Sequence, residues 1–267
     1  MDELSAKLGG MSLVEATPQH FRFFDLPYEL RFRILELTLL FPKTLDLDPT
    51  NYRNIARYLG LFLVSHRMHD EASRVFYARN TFRVFPIHGR FFHTKKPLLA
   101  RLPPLYRSYI TKLELRLGPG WTKPPKGWVA DERLGLADAV KVRLLKIFVE
   151  CDPAGDMIFE GFRIGQDFYT EFCVDLLRSM AMQVPSLQEV EFDAYPSVQK
   201  SSPLLLGLTN EVTAQNKKTS WGPERGWDKI VEVSLASVMQ TLTLGAVTSS
   251  PPLDHPPLGG NLLDVIA

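Results

Sequence analysis

The sequence predicts an α+β protein, in which a helical N-terminal module runs continuously into irregular strand–helix units. Three observations predict it. Apolar residues recur every three or four positions between residues 26 and 78, short alternating segments follow at uneven intervals of about 35–40 residues, and helix-like or loop-like stretches separate those segments. A chain of 267 residues, 45% hydrophobic and 23% charged, can bury a sizeable core and is ordinary in composition for a globular protein.

Residues 1–20 read as a flexible tail. From Pro27, the residues Leu30, Ile34, Leu37 and Leu40 share one helical face, with Leu26 just before the first turn and Glu29, Arg31, Arg33 and Glu36 on the other side. Asp25 can cap this helix, and Pro27 fits its first turn, where a missing N–H costs nothing. Pro42 ends it, and "FPKTLDLDPTNYRN" (41–54) reads as a loop. A second helical stretch runs from about Ile55 to Ala78, with one stripe through Leu61, Val64, Met68, Ala72 and Val75 and another through Ile55, Leu59, Phe62 and Phe76. A helix apolar on two sides is either gripped from both or broken, here near Ser65.

Strands are expected at "NTFRVF" (80–85), "ITKLELRL" (110–117), "LLKIFVEC" (144–151) and "LQEVEFD" (187–193). Between them, Leu134, Ala137, Val140 and Leu144 suit a short helix capped by Asp131. Phe168, Phe172, Leu176, Met180 and Val184 form the stripe of a longer helix ended by Pro185. "LGPGW" (117–121) and "WGPERGW" (221–227) read as turns anchored by tryptophan. A last helix is expected over 227–242, before a Pro/Gly-rich tail at 246–267. The order is that of α/β units or of a loose solenoid. It divides the chain into the tail 1–20, a helical module 21–85, a strand–helix region 86–245 and the C-terminal tail.

A net charge of +1 gives no overall pull toward nucleic acid or anionic membrane. Two cysteines, Cys151 and Cys173, are too few for a disulfide framework. The acidic start MDELSAKLGG lacks the order of a signal peptide, and no apolar run approaches the length of a membrane span, so a cytoplasmic or nuclear protein is expected. Charge is nevertheless unevenly spread. Nine Lys/Arg face Glu114 alone between Pro86 and Trp128, whereas ten Asp/Glu face two arginines between Glu150 and Asp193. Either the two segments neutralise each other in the fold, or the basic one selects acidic partners.

Catalytic signatures are absent. His66 and His69 lie three apart on a helix beside Asp70 and Glu71, but no third metal ligand is near in sequence. His88 and His93, beside Lys95 and Lys96, read as loop residues, and binding of nucleic acid is not expected. The cysteines have no neighbouring base, and no phosphate-cradling glycine loop or nucleophile elbow occurs. A non-enzymatic protein without cofactor or metal is expected.

The run from Asp25 to Phe85 resembles the fungal F-box-like proteins. Leu26, Pro27, Glu29, Leu30 and Arg31 match their Leu-Pro-x-Glu-Leu-Arg opening, and Leu61 or Phe62 with Val64 and Ser65 match a Leu-x-Val-Ser element. Glu71, Ala72, Phe76, Tyr77, Asn80, Thr81 and Phe82 match the ending. The resemblance covers about a quarter of the chain. It implies a helical module that packs against the Skp-type adaptor of a cullin-RING ubiquitin ligase, with Leu26, Pro27, Leu30, Ile34 and Val64 facing the adaptor. The strand–helix region, resembling irregular leucine-rich repeats, would then recruit a protein substrate. The alternative is an interaction scaffold in which the same motif is a folding signature.

Overall fold

The computed structural model describes residues 21–228 except 48, 88–91, 94–95, 119–120, 123–124, 156–158, 163–164 and 166, with the backbone alone at 49 and 50. The expected tails at 1–20 and 246–267 and nearly all of the expected helix at 227–242 lie outside the described residues.

The chain begins with a 3-10 turn at Phe23–Asp25 and continues into α1 (Tyr28–Leu39). Pro27 occupies the N-cap position, and its carbonyl accepts from the backbone N–H groups of Leu30 and Arg31. Asp25 does not cap α1, contrary to expectation, because it is used up in the preceding turn. Helix α2 (Pro49–Leu59) opens on a proline inside the segment expected to be loop, a permitted first-turn position. A 3-10 turn at Gly60–Leu63 follows, then α3 (His66–Arg79). The break falls at Ser65, whose backbone is extended and whose Oγ accepts from the Met68 N–H at 3.1 Å, an N-cap that starts a new helix.

Five strands form one wholly parallel sheet, β1 (Thr81–Arg83), β2 (Lys112–Leu117), β3 (Leu144–Val149), β4 (Glu189–Ala194) and β5 (Lys218–Trp221), standing in chain order. The outer edge of β1 is met by a parallel bridge from Leu45 to Phe82. Crossovers run through α4 (Leu98–Arg101) and α5 (Pro104–Arg107), through 3-10 turns at 132–134 and 136–138, through α6 (Phe168–Gln183) and through α7 (Pro203–Ala214). Parallel crossovers are almost always right-handed, so an order that never reverses returns every connection over the same face. Accordingly α3 packs on α5, α5 on the 136–138 turn, that turn on α6, and α6 on α7.

The core lies between this layer and the sheet. Phe82, Leu113, Leu115, Ile147, Val190 and Phe192 are buried there. Alternate residues point the other way, as the pleat requires. There the register aligns Arg83, Glu114, Lys146 and Glu191 on four successive strands, with charges alternating in sign. Doubly wound sheets place ligands where strand order reverses, and this sheet has no such point.

Mixed helix–strand architecture and the four expected strands are present. The short helix expected over 134–144 is not. Gly135 adopts φ 72°, a left-handed conformation that ends one 3-10 turn and starts another, while Val140 is exposed and Leu144 belongs to β3. Unanticipated are α7 and β5. Helix α7 borrows its cap from afar, the Asp152 carboxylate accepting from the Leu204 N–H at 2.9 Å. Its Gly207 brings the backbone against α6, where a Cβ would stand 3.1 Å from Thr170. No helix among the described residues is long and apolar enough to cross a membrane.

Candidate functional site

Helix α1 has two apolar faces, and the inward one is not the stripe through Leu30, Ile34 and Leu37. Arg31, Leu35 and Leu39 are buried against the rest of the module, with Arg31 7% exposed. The sequence places Arg31 on the polar side. In the fold its Nε and Nη2 donate to the two Glu71 oxygens on α3 at 2.8 and 2.9 Å, and Nη1 donates to the Leu26 carbonyl. This bidentate pair satisfies a guanidinium inside the interface. The same hydrogen bonds hold the Glu71 carboxyl below the usual carboxylate range.

The stripe through Leu30, Ile34 and Leu37 is the outer one. Leu30 is 52% exposed, Ile34 41% and Leu37 71%, at positions i, i+4 and i+7. Pro27 is exposed and Leu26 half-buried. Val64, expected in the stripe with Leu61 and Met68, is 64% exposed in the turn before α3. The five residues singled out from the sequence therefore present apolar atoms to solvent, with Leu26 the most covered.

Other residues of the motif serve the interior. Asn80 is buried. Its Oδ1 accepts from the Phe41 N–H at 2.8 Å, and its Nδ2 donates to the Leu39 carbonyl at 2.7 Å and the Phe76 carbonyl at 2.9 Å. It thus ties the ends of α1 and α3 together. Ala72, Phe76, Tyr77 and Phe82 belong to the core. The packing of α1 on α3 accounts for Arg31, Glu71 and Asn80, and leaves Leu30 and Ile34 unused.

The residues weighed for chemistry are engaged otherwise. His69 Nδ1 lies 2.9 Å from the Phe62 carbonyl, and its Nε2 lies 2.6 Å from the Tyr106 hydroxyl. A carbonyl only accepts, so in the neutral ring Nδ1 donates and Nε2 accepts. With both nitrogens occupied, His69 does not join the exposed His66. Among the described residues no group of three metal-ligating side chains occurs. Burial pushes the Cys151 thiol up to about 11, and raises that of fully buried Cys173 further. A raised thiol pKa favours the folded state in full below the free-thiol range, and that contribution fades as pH rises beyond it. Native protein at neutral pH is therefore expected to react with a disulfide reagent at least about tenfold more slowly than protein in guanidinium. Immediate labelling of Cys151 in the native state would contradict this.

The sequence-level charge imbalance is partly neutralised within the fold. Arg116 pairs with Glu150 and Arg107 with Asp138. Lys95 lies outside the described residues. A second surface, not anticipated, lies on the face of the sheet turned away from the helix layer. Residues from 41–46 and 51–58 wall a groove of about 1020 Å³ floored by Arg83, Glu114, Arg116 and Phe148.

No family model matches the chain, and neither does any curated protein or solved structure.

Proposed function

We propose that the chain is a non-enzymatic F-box-like protein, the substrate receptor of an SCF-type cullin-RING ubiquitin ligase. In this reading the outer stripe of α1 docks a Skp-type adaptor, and through it a cullin, while the strand–helix region holds a protein substrate in the cytoplasm or nucleus. The observation that carries the reading is the exposed row Leu30, Ile34 and Leu37 on a helix whose inward face is already complete. Apolar side chains in a row on a rigid helix, unused by the chain's own packing, mark an interaction surface. Burying the part of each still exposed would contribute roughly 1–2 kcal/mol, against an association cost of about 4 kcal/mol or more. The unreversed parallel strands, one per crossover, support the leucine-rich-repeat-like description of the remainder.

A second reading, an interaction scaffold that never meets a ligase, is favoured by Arg31, Glu71 and Asn80. Their roles in joining α1 to α3 explain much of the motif without an adaptor. Co-purification with a Skp-type adaptor separates the two. The double variant Leu30→Asp, Ile34→Asp is expected to weaken capture by more than about a hundredfold, since docking would desolvate carboxylates without partners. Its circular dichroism should match that of the parent. Failure of the parent chain to bind the adaptor would favour the scaffold.

A further inference from the structure

We infer that the groove on the uncovered sheet face is a binding site for an extended acidic segment of a partner protein. The inference deepens the receptor reading by naming the substrate's chemistry, and it rests on that reading for the fate of the bound segment. The binding itself needs no adaptor.

The argument is one of charge that the fold leaves unspent. Deep in the groove the ions are matched. Arg83 pairs with Asp46 and, at 2.9 Å, with Glu114, which also accepts from the Thr44 hydroxyl, and Arg116 pairs with Glu150. On the wall the cations are not matched. Lys43, Arg53 and Arg57 are exposed, and among the described residues none of the three has a carboxylate within salt-bridge distance. Arg57 instead donates to the Tyr58 hydroxyl at 2.7 Å and lies over that ring. Among the described residues, the one lining carboxylate outside the matched set is the exposed Glu224.

Three exposed cations without a carboxylate partner among the described residues attract a chain that carries several negative charges at intervals, and they raise its rate of encounter. Aromatic surface is available to such a chain as well. Phe41 and Tyr58, both half-buried, meet edge to face at 5.5 Å. A nucleic acid suits the site less. Its closely spaced phosphates would face Asp46, Glu114 and Glu224 across the same groove. A peptide can place its acidic residues on the wall and neutral ones over the floor.

The test uses the full chain alone and a fluorescein-labelled peptide of alternating Glu and Tyr, with a Lys/Tyr peptide as control, followed by anisotropy. The acidic peptide is expected to bind at least about tenfold more tightly than the control, with affinity falling as salt rises. The triple variant Lys43→Glu, Arg53→Glu, Arg57→Glu should lose at least about tenfold of that affinity with its melting temperature little changed, because exposed single charges contribute little to stability. The Leu30→Asp, Ile34→Asp variant should bind the peptide as the parent does, so failure of adaptor docking and failure of the groove are told apart. Equal binding of the two peptides, an unaffected triple variant, or tighter binding of a single-stranded oligonucleotide would each overturn the proposal.

Discussion

Replacing Arg83 with methionine is expected to remove about 3–5 kcal/mol of folding stability, a large share of the total for a domain of this size. The guanidinium is buried between two carboxylates, Asp46 from the segment before α2 and Glu114 from the neighbouring strand. Methionine fills much of the volume but leaves the two acids facing each other with little water. Their repulsion and desolvation, rather than the loss of attraction alone, set the size of the effect. A denaturant titration should show a lower midpoint with an unchanged slope. Adding Glu114→Leu to Arg83→Met should recover part of the loss, since one of the stranded acids is then gone. A single variant as stable as the parent would mean that solvent reaches this cluster freely.

A second large effect is expected from neighbouring positions on α1. Leu35→Asp should destabilise by about 4 kcal/mol or more, because it buries a carboxylate without a partner at a site 2% exposed. Ile34→Asp, one residue earlier, should change stability by less than about 1 kcal/mol, since its side chain already meets water. Circular dichroism melts of both variants decide the matter. Similar losses at the two positions would show that the outer stripe is covered by the chain itself, and would remove the basis of the docking proposal.

Much of the architecture was legible because it rests on local rules. Ser65 and the run after it announce a helix start, and the strands at 144 and 187 announce themselves by β-branched and aromatic content. The alternation in "KLELRL" and "EVEFDA" carries a further message. A parallel strand covered on both faces reads as a continuous apolar run, so alternation in parallel strands signals a sheet covered on one side. What was not legible depends on pairing across the fold. Helical spacing alone puts Arg31 among the polar residues of α1. Only Glu71, forty positions away, makes it an interior residue, and its turning inward makes Leu30 and Ile34 outer ones. Likewise Ser202 before Pro203 marks the start of α7 in sequence, yet its side chain makes no cap bond, and Asp152 supplies one from another loop. The groove was hidden for the same reason, since its wall comes from residues 41–46 and 51–58 and its floor from strands further on.

Strand order that repeats chain order bears on how the protein can be made. During synthesis each new strand, once its crossover has emerged, finds its neighbour already in place. No inner position has to stand open for a later segment to fill, as it must in sheets whose order doubles back. The first strand does not wait either, because the bridge from Leu45 secures its outer edge using chain that left the ribosome earlier. Growth is therefore vectorial, and coupling is largely between neighbours, as in linear repeat arrays. The four-residue strand β5 joins last, and the pairings made before it do not depend on it.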